Sequence, residues 1–390
     1  MFESELAILG DRVAFGAGRI ATLGAEVVAR AGAKARVVLV TDAGVVAAGL
    51  AAKAEDSLAG AGVTLRTFTD VRSDPLAAQI DGAAQAVRDL GADMIVGLGG
   101  GSAVDVAKMV AGVASAGAPA ESYALQCDPF GDGVLPIIAV PTTAGTGAEM
   151  TQSMVFTAEG GAKVWADAAN LRPVLALLDP QLTVSLPAHL TAATGIDALV
   201  HAMESVTSHR TKPQTHAPAL AAIRLIRACL PVAVREPKNV AARSAMIIAA
   251  ALAGRAIDSG GTTIAHALGH ALGAVGHVHH GRSVGLSLRV ALPGNAEAAP
   301  GPHADVARAF AVKGTSDDEL AAALPTAYDA FLREVGLRID IADSGLTPDD
   351  AERLAAEAMK PENEPMRKAT LRPIDQPEML SLARVLLAAS

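Results

Sequence analysis

The first 180 residues alternate short apolar runs with longer amphipathic segments, and the alternation stops at Asp179-Pro180. Residues 37–40 are Val-Val-Leu-Val, closed by Thr41 and Asp42. A run without polar alternation predicts a strand covered on both faces, as in a parallel sheet. Residues 44–58 then read as a helix and 63–68 as a second strand. Helix 76–90 follows Ser73-Asp74-Pro75, which supplies cap and first-turn chemistry. Strand 94–98, helix 103–114 and strand 137–140 continue the pattern, with further strands expected at 153–157 and 174–178. Such β and α units predict a doubly wound parallel sheet.

Beyond residue 191 no strand is expected. Alanine-rich amphipathic segments fill 191–207, 214–230, 238–255, 261–275, 303–311, 317–334, 348–358 and 376–388. Pro187, Pro213, Pro231, Pro237, Pro293 and Pro302 punctuate them. The stretch 361–377 is rich in proline and charge and is expected to wrap the surface. A chain of 390 residues exceeds one ordinary core. The reading is an α/β fold in two parts. Residues 1–182 read as an N-terminal doubly wound α/β domain and residues 183–390 as a C-terminal all-helical domain.

Aromatic residues make up only 3% of the chain, so Ala, Val, Leu and Ile must build the core. The net charge of -9 argues against a nucleic-acid partner, which calls for a basic patch. No basic n-region precedes an apolar stretch at the N-terminus, and no uncharged apolar run reaches about 18 residues. No membrane span is expected, and a cytoplasmic location is. Cys127 and Cys229 form no CxxC pair; both read as inert packing in a reducing compartment.

Gly97-Leu98-Gly99-Gly100-Gly101-Ser102 lies between a strand and a helix. Glycines let a backbone approach a diphosphate, and the helix N-terminus offers free N–H groups. The spacing is not GxGxxG, and a tight turn without a ligand would need the same glycines. Asp42, at the end of the first strand, suits an adenosine ribose and would repel a 2′-phosphate; it equally suits a helix N-cap. Residues 141–149 (PTTAGTGAE) place Thr142, Thr143 and Thr146 after another strand, where open α/β sheets bind ligands.

Five of the ten histidines fall within fifteen residues: His266, His270, His277, His279 and His280. His266 and His270 share a helix face, as do Asp197 and His201. Two such pairs suggest a divalent-metal site of carboxylate and imidazole. A zincin is excluded, because HExxH needs glutamate where Ala267 stands. Spacing does not choose among His277, His279 and His280 for a further ligand. His189, His209, His216 and His303 lack partners and are expected at the surface.

These strings together resemble the iron-containing (group III) alcohol dehydrogenases. The matching segments are Gly99 to Ser102 with Asp105 and Lys108, residues 141–149, Asp179-Pro180, residues 195–201 (GIDALVH) with Glu204, and residues 266–281. The resemblance implies metal ligands Asp197, His201, His266 and His280, with His270 beside the metal as proton relay. It implies cofactor contacts from Gly99, Gly100, Gly101, Ser102, Asp105, Thr142, Thr143 and Thr146, joined by Asp42. It further implies that residues 1–182 are a dinucleotide-binding domain and residues 183–390 a metal-binding and substrate domain, with Fe²⁺ rather than Zn²⁺, an active site in an interdomain cleft, and a homodimer.

The chain departs from the family pattern at residues 259–263 (SGGTT, commonly NAGLG), at His279 (commonly proline) and at 285–289. The C-terminal Asn-Pro-Arg motif has no clear counterpart near Pro365. These segments tend to line the substrate side.

The expected activity is hydride transfer between a nicotinamide cofactor, NAD rather than NADP, and a small alcohol, aldehyde or ketone. Polar Asp258, Ser259, Thr262 and Thr263 suggest a small or polar substrate. A metal-independent maleylacetate reductase is disfavoured by Asp197 with His201. A zinc enzyme like glycerol dehydrogenase or dehydroquinate synthase is a competing reading. So is a noncatalytic nucleotide- or metal-binding protein on the same fold.

Overall fold

The computed structural model describes residues 2–127 and 130–388, with the backbone only of Cys127. The packing expected of the Cys127 side chain therefore lies outside the described residues. The chain divides into two compact units: residues 9–143 with 147–185, and residues 186–390 with 1–8 and 144–146.

The first unit is built on a six-stranded sheet in the order β1-β9-β6-β4-β2-β3, every pair parallel. Its strands are β1 (Val13–Phe15), β2 (Arg36–Asp42), β3 (Thr64–Val71), β4 (Met94–Gly99), β6 (Ile137–Pro141) and β9 (Leu175–Leu178). The continuous apolar runs have a direct cause. Val38, Val40 and Ile95 face one core, and Val37, Leu39, Val96 and Leu98 face the other; all are fully buried. Helices α2 (Leu23–Ala31) and α4 (Leu50–Gly60) contribute to the second core, and α5 (Ala77–Leu90) and α6 (Gly101–Ala116) to the first.

Three expectations need correction here. Residues 44–58 are not one helix but α3 (Ala43–Ala47) and α4, parted at Gly49, whose φ of 71° suits glycine. Residues 153–157 lie outside the parallel sheet. As β7 (Ser153–Thr157) they pair antiparallel with β8 (Lys163–Asp167), which takes β5 (Gln126–Cys127) on its other edge. The edge strand β1 is absent from the expected elements, because it has three half-buried residues and no apolar run.

The second unit is helical among its described residues. It comprises α1 (Glu3–Leu9, of which Leu9 groups with the first unit), α7 (Ala188–Val206), α8 (Pro213–Arg235), α9 (Val240–Gly260), α10 (Ile264–Gly276) and α11 (His280–Ala298). Then follow α12 (Pro300–Ala309), α13 (Asp317–Glu334), α14 (Ala351–Ala358), α15 (Glu364–Ala369) and α16 (Gln376–Ala388).

Small residues allow close approach. A Cβ on Gly269 would lie 2.7 Å from Val284 Cγ1, and one on Gly281 would overlap the Ala193 carbonyl oxygen. Helices α10, α11 and α7 thus meet backbone to backbone.

Proline punctuates less than expected: α8 runs through Pro218 and Pro231, and α11 through Pro293. Helix α11 fills the interval between expected helices at 275 and 303. The stretch 361–377 holds α15, with Met366 and Ala369 buried, and is not merely a surface wrap. His303 is buried rather than exposed, with Nδ1 2.8 Å from the Ala299 carbonyl. Helices α8 and α9 are long and apolar enough to cross a bilayer; the most apolar stretch of α9 is 78% buried within the protein.

Candidate functional site

The ends of β2, β4 and β6 are neighbours, so Asp42, Gly99 and Thr142 line one rim of the first unit. The chain leaves β2 for β3 on one side and returns to β4 on the other. The strand order therefore reverses between β2 and β4, which is where open α/β sheets bind ligands. Asp42 serves as N-cap of α3, accepting from Val45 N–H at 2.9 Å. Its second oxygen borders the glycine turn: a Cβ on Gly99 would be 3.0 Å from Oδ2 and 2.7 Å from Ala103 Cβ. A side chain at Gly99 would therefore collide with the start of α6 and crowd the Asp42 carboxylate.

Helix α6 opens at Gly101 with no side chain capping it. Its first-turn N–H groups face the rim, with Ser102 the second residue of the helix. Thr142 N–H donates to the Gly99 carbonyl at 2.9 Å, and Thr143 borders Gly100. Thr142 is buried, while Thr143 and Thr146 are half-buried. Thr146 belongs to the short segment 144–146 that groups with the helical unit.

Asp105 has intrachain work. Its Oδ2 accepts from Val155 N–H at 3.1 Å, and its Oδ1 lies 3.1 Å from Lys108 Nζ. Lys108, fully buried, also donates to Thr151 Oγ1 at 3.0 Å and the Ser153 carbonyl at 2.6 Å. This network ties α6 to β7. Burial raises the Asp105 pKa, and the Lys108 charge opposes the rise.

Glu149, buried in the same region, closes the 141–149 string, where no role is expected of it. Burial pushes its carboxyl up to about 7; Lys108 offsets this only in part and Asp105 adds to it. The folded chain thus holds the proton more tightly than the unfolded chain. The resulting stability is complete below about pH 4.5 and lost as pH rises through about 7. Glu149→Gln should remove that pH dependence, worth about 3 kcal/mol over the window. Urea midpoints at about pH 5 and about pH 8 check it; a variant with the wild-type pH slope contradicts it.

In the helical unit, three imidazoles converge on one carboxylate oxygen. Asp197 Oδ1 lies 3.6 Å from His201 Nε2, 3.8 Å from His266 Nε2 and 3.6 Å from His280 Nε2. Ligand-capable atoms of Asp197, His201 and His266 all fall within 4.8 Å of one another. The His201 and His266 rings stack at 4.7 Å between centroids. Burial holds His201 below the usual imidazole pKa, against the pull of Asp197.

Asp197 Oδ1 and His266 Nε2 are buried without a hydrogen-bond partner. Leaving such groups unpaired costs about 1–3 kcal/mol each. One carboxylate and three imidazoles form a donor set suited to Fe²⁺ or Zn²⁺, so the residues fit a divalent metal.

The three competing histidines are separated. His277 is exposed in a left-handed conformation (φ 52°) at the end of α10, and His279 is exposed just before α11. Of the three, His280, the first residue of α11, is the one that reaches Asp197. His270 sits beside the cluster, with its ring centroid 6.0 Å from that of His266 and 5.4 Å from that of His280.

A further carboxylate completes the arrangement. Glu204 Oε2 lies 2.5 Å from His266 Nδ1, and Oε1 accepts from the Thr263 hydroxyl at 2.5 Å and Ala265 N–H at 2.8 Å. Burial alone would raise its pKa, but His266 and the bonds from His266 and Thr263 outweigh it and hold the carboxyl below its usual range. Glu204 stands in the motif string, yet the string alone assigns it no role. A signal is present all the same, since positions 197, 201 and 204 share one helical face.

The iron-containing alcohol dehydrogenase model matches residues 10–180, and the C-terminal model of the same family matches residues 191–387. The chain is 34% identical over 358 residues to a choline dehydrogenase of Bacillus subtilis, covering 88% of this chain and 86% of that one. It is 32% identical to an NAD-dependent methanol dehydrogenase of Bacillus methanolicus, covering 84% and 87%. A solved 1,3-propanediol oxidoreductase superposes with a TM-score of 0.91 at 31% identity, covering 96% of this chain and 98% of that one. The family models and these relatives describe an oxidoreductase, and the parallel sheet and helical unit match the solved neighbour. The chain belongs to the iron-containing alcohol dehydrogenase family.

Proposed function

We propose that this chain is a metal-dependent dehydrogenase that moves a hydride between NAD(H) and a small alcohol or aldehyde. The observation that carries the reading is the convergence of three imidazole nitrogens on Asp197 Oδ1, with two of the buried atoms unpaired. Asp197, His201, His266 and His280 would hold the metal. Family membership favours iron, and the donor set also accepts zinc. When bound, a divalent metal supplies Lewis acidity toward the substrate oxygen.

The chain's own residues supply the rest. Gly99, Gly100, Gly101 and the uncapped start of α6 receive the diphosphate, with Ser102, Thr142, Thr143 and Thr146 as hydroxyl donors. Asp105 acts behind them, by fixing α6 on β7 through Lys108. Asp42 accepts from the adenosine ribose through the oxygen that does not cap α3. His270, half-exposed beside the cluster, carries the proton between the substrate oxygen and solvent, because a neutral imidazole both accepts and donates.

The relative's name, NAD-dependent methanol dehydrogenase, supports NAD as the cofactor. Asp42→Gly should shift the NADH-to-NADPH preference toward NADPH by about tenfold to a hundredfold, the value of one charge-assisted hydrogen bond. Ratios of kcat/KM for the two cofactors measure it; an unchanged ratio removes Asp42 from the role. The activity itself is tested by NADH-linked screening of short aldehydes, diols and hydroxy acids with anaerobically purified, metal-loaded protein. Binding of NADH and metal without turnover of any of them would favour a noncatalytic role.

A further inference from the structure

Glu204 is 1% exposed, and its two oxygens do different things. Oε1 serves the start of α10, taking the Thr263 hydroxyl and Ala265 N–H; Oε2 lies against His266 Nδ1. The Thr263 hydroxyl and the Ala265 N–H both donate to Oε1, which leaves Oε2 as the acceptor facing His266 Nδ1. An ionised carboxylate can only accept, so the proton between the two groups sits on Nδ1. That leaves the imidazole lone pair on Nε2, the nitrogen facing Asp197 Oδ1 at 3.8 Å.

We propose that Glu204 is a positioning residue of the metal centre: it fixes His266 in the tautomer whose Nε2 is a ligand, and enriches that nitrogen through the ring. The proposal rests on the metal reading given above. It assigns a second negative charge to the site, one hydrogen bond beyond the His266 ring. Outer carboxylates of this kind are worth about tenfold to a hundredfold in metal affinity.

Glu204 also caps α10, so the test must separate capping from positioning. Dissociation constants for Zn²⁺ and Co²⁺ would be measured by chelator competition, with the ligand-field absorption of the Co²⁺ form recorded. Glu204→Gln keeps the volume and removes the charge; it should weaken binding about tenfold to a hundredfold and alter the Co²⁺ spectrum. Thr263→Val removes one capping donor and leaves the Oε2–His266 bond, so its affinity should stay close to wild type. A His266→Ala background should retain only weak binding, measurable at high metal concentration, and Glu204→Gln should weaken it no further.

Nitrogen-15 NMR of the histidines in metal-free wild-type protein should find His266 protonated at Nδ1. This needs no variant to fold. Wild-type affinity in Glu204→Gln, an equal loss in Thr263→Val, an added loss in the His266→Ala background, or an Nε2-protonated His266 would each overturn the proposal. A wild-type chain that binds neither metal would instead overturn the metal reading, with the tautomer still deciding the role of Glu204.

Discussion

His266→Ala should lose tightly held metal and lower kcat by about a thousandfold. Lewis-acid stabilisation of developing negative charge is worth several kcal/mol, and each 1.4 kcal/mol is about tenfold in rate. His266 has no substitute: its Nε2 is one of the nitrogens facing Asp197, and its Nδ1 is engaged by Glu204. The fold should persist, because the cores of both units are built from apolar side chains elsewhere. Metal content by elemental analysis, steady-state kinetics and circular dichroism together check this. A metal-free variant with wild-type kcat would sink the metal-dependent mechanism.

Gly281→Ala should be nearly as damaging without touching a ligand. A Cβ at this position would overlap the Ala193 carbonyl and lie 3.2 Å from Asp197 Cβ. Both neighbours belong to α7, and a backbone carbonyl cannot swing aside. Helix α11 must therefore back away from α7 at its first turn, carrying His280 from Asp197. Overpacking of this kind costs about 1–3 kcal/mol of stability. The metal site should lose more, because its geometry tolerates displacements well under an ångström. Thermal unfolding of the metal-free variant and its Zn²⁺ affinity separate the two effects. Wild-type affinity in Gly281→Ala would show that α11 can yield without moving His280.

Much of this architecture is legible in the residues, and the failures have physical causes. The buried strands β2, β4 and β6 announce themselves because side chains pack on both faces of the sheet. Strand β1 is short and half-buried, so it leaves no apolar run. Helix α11 is obscured by Gly281, Gly285, Pro293 and Gly294, whose intrinsic helix preference is poor. At Gly281 and Gly285 that weakness is tolerated because a Cβ would collide with α7.

In the candidate site, the pairs Asp197/His201 and His266/His270 show on helical spacing. The choice of His280 over His277 and His279 comes from family resemblance, and the structure gives it a geometric basis in the first residue of α11. Asp42 illustrates a different limit. Its capping bond and its place beside Gly99 coexist on two oxygens of one carboxylate, so the two sequence readings are not exclusive. Glu149 and Lys108 stand in the family strings, but their burial and mutual influence are not legible there, because burial of a lone charged residue in a loop or helix has no periodic signature.

The most direct test is metal stoichiometry coupled to activity. The protein would be stripped with a chelator under anaerobic conditions and titrated with Fe²⁺ or Zn²⁺ while NADH-linked aldehyde reduction is followed. The stripped protein should show no turnover and recover fully at one ion per chain, while Asp197→Asn should fail to recover. Undiminished turnover by metal-free protein, or recovery in Asp197→Asn at the same stoichiometry, would contradict it.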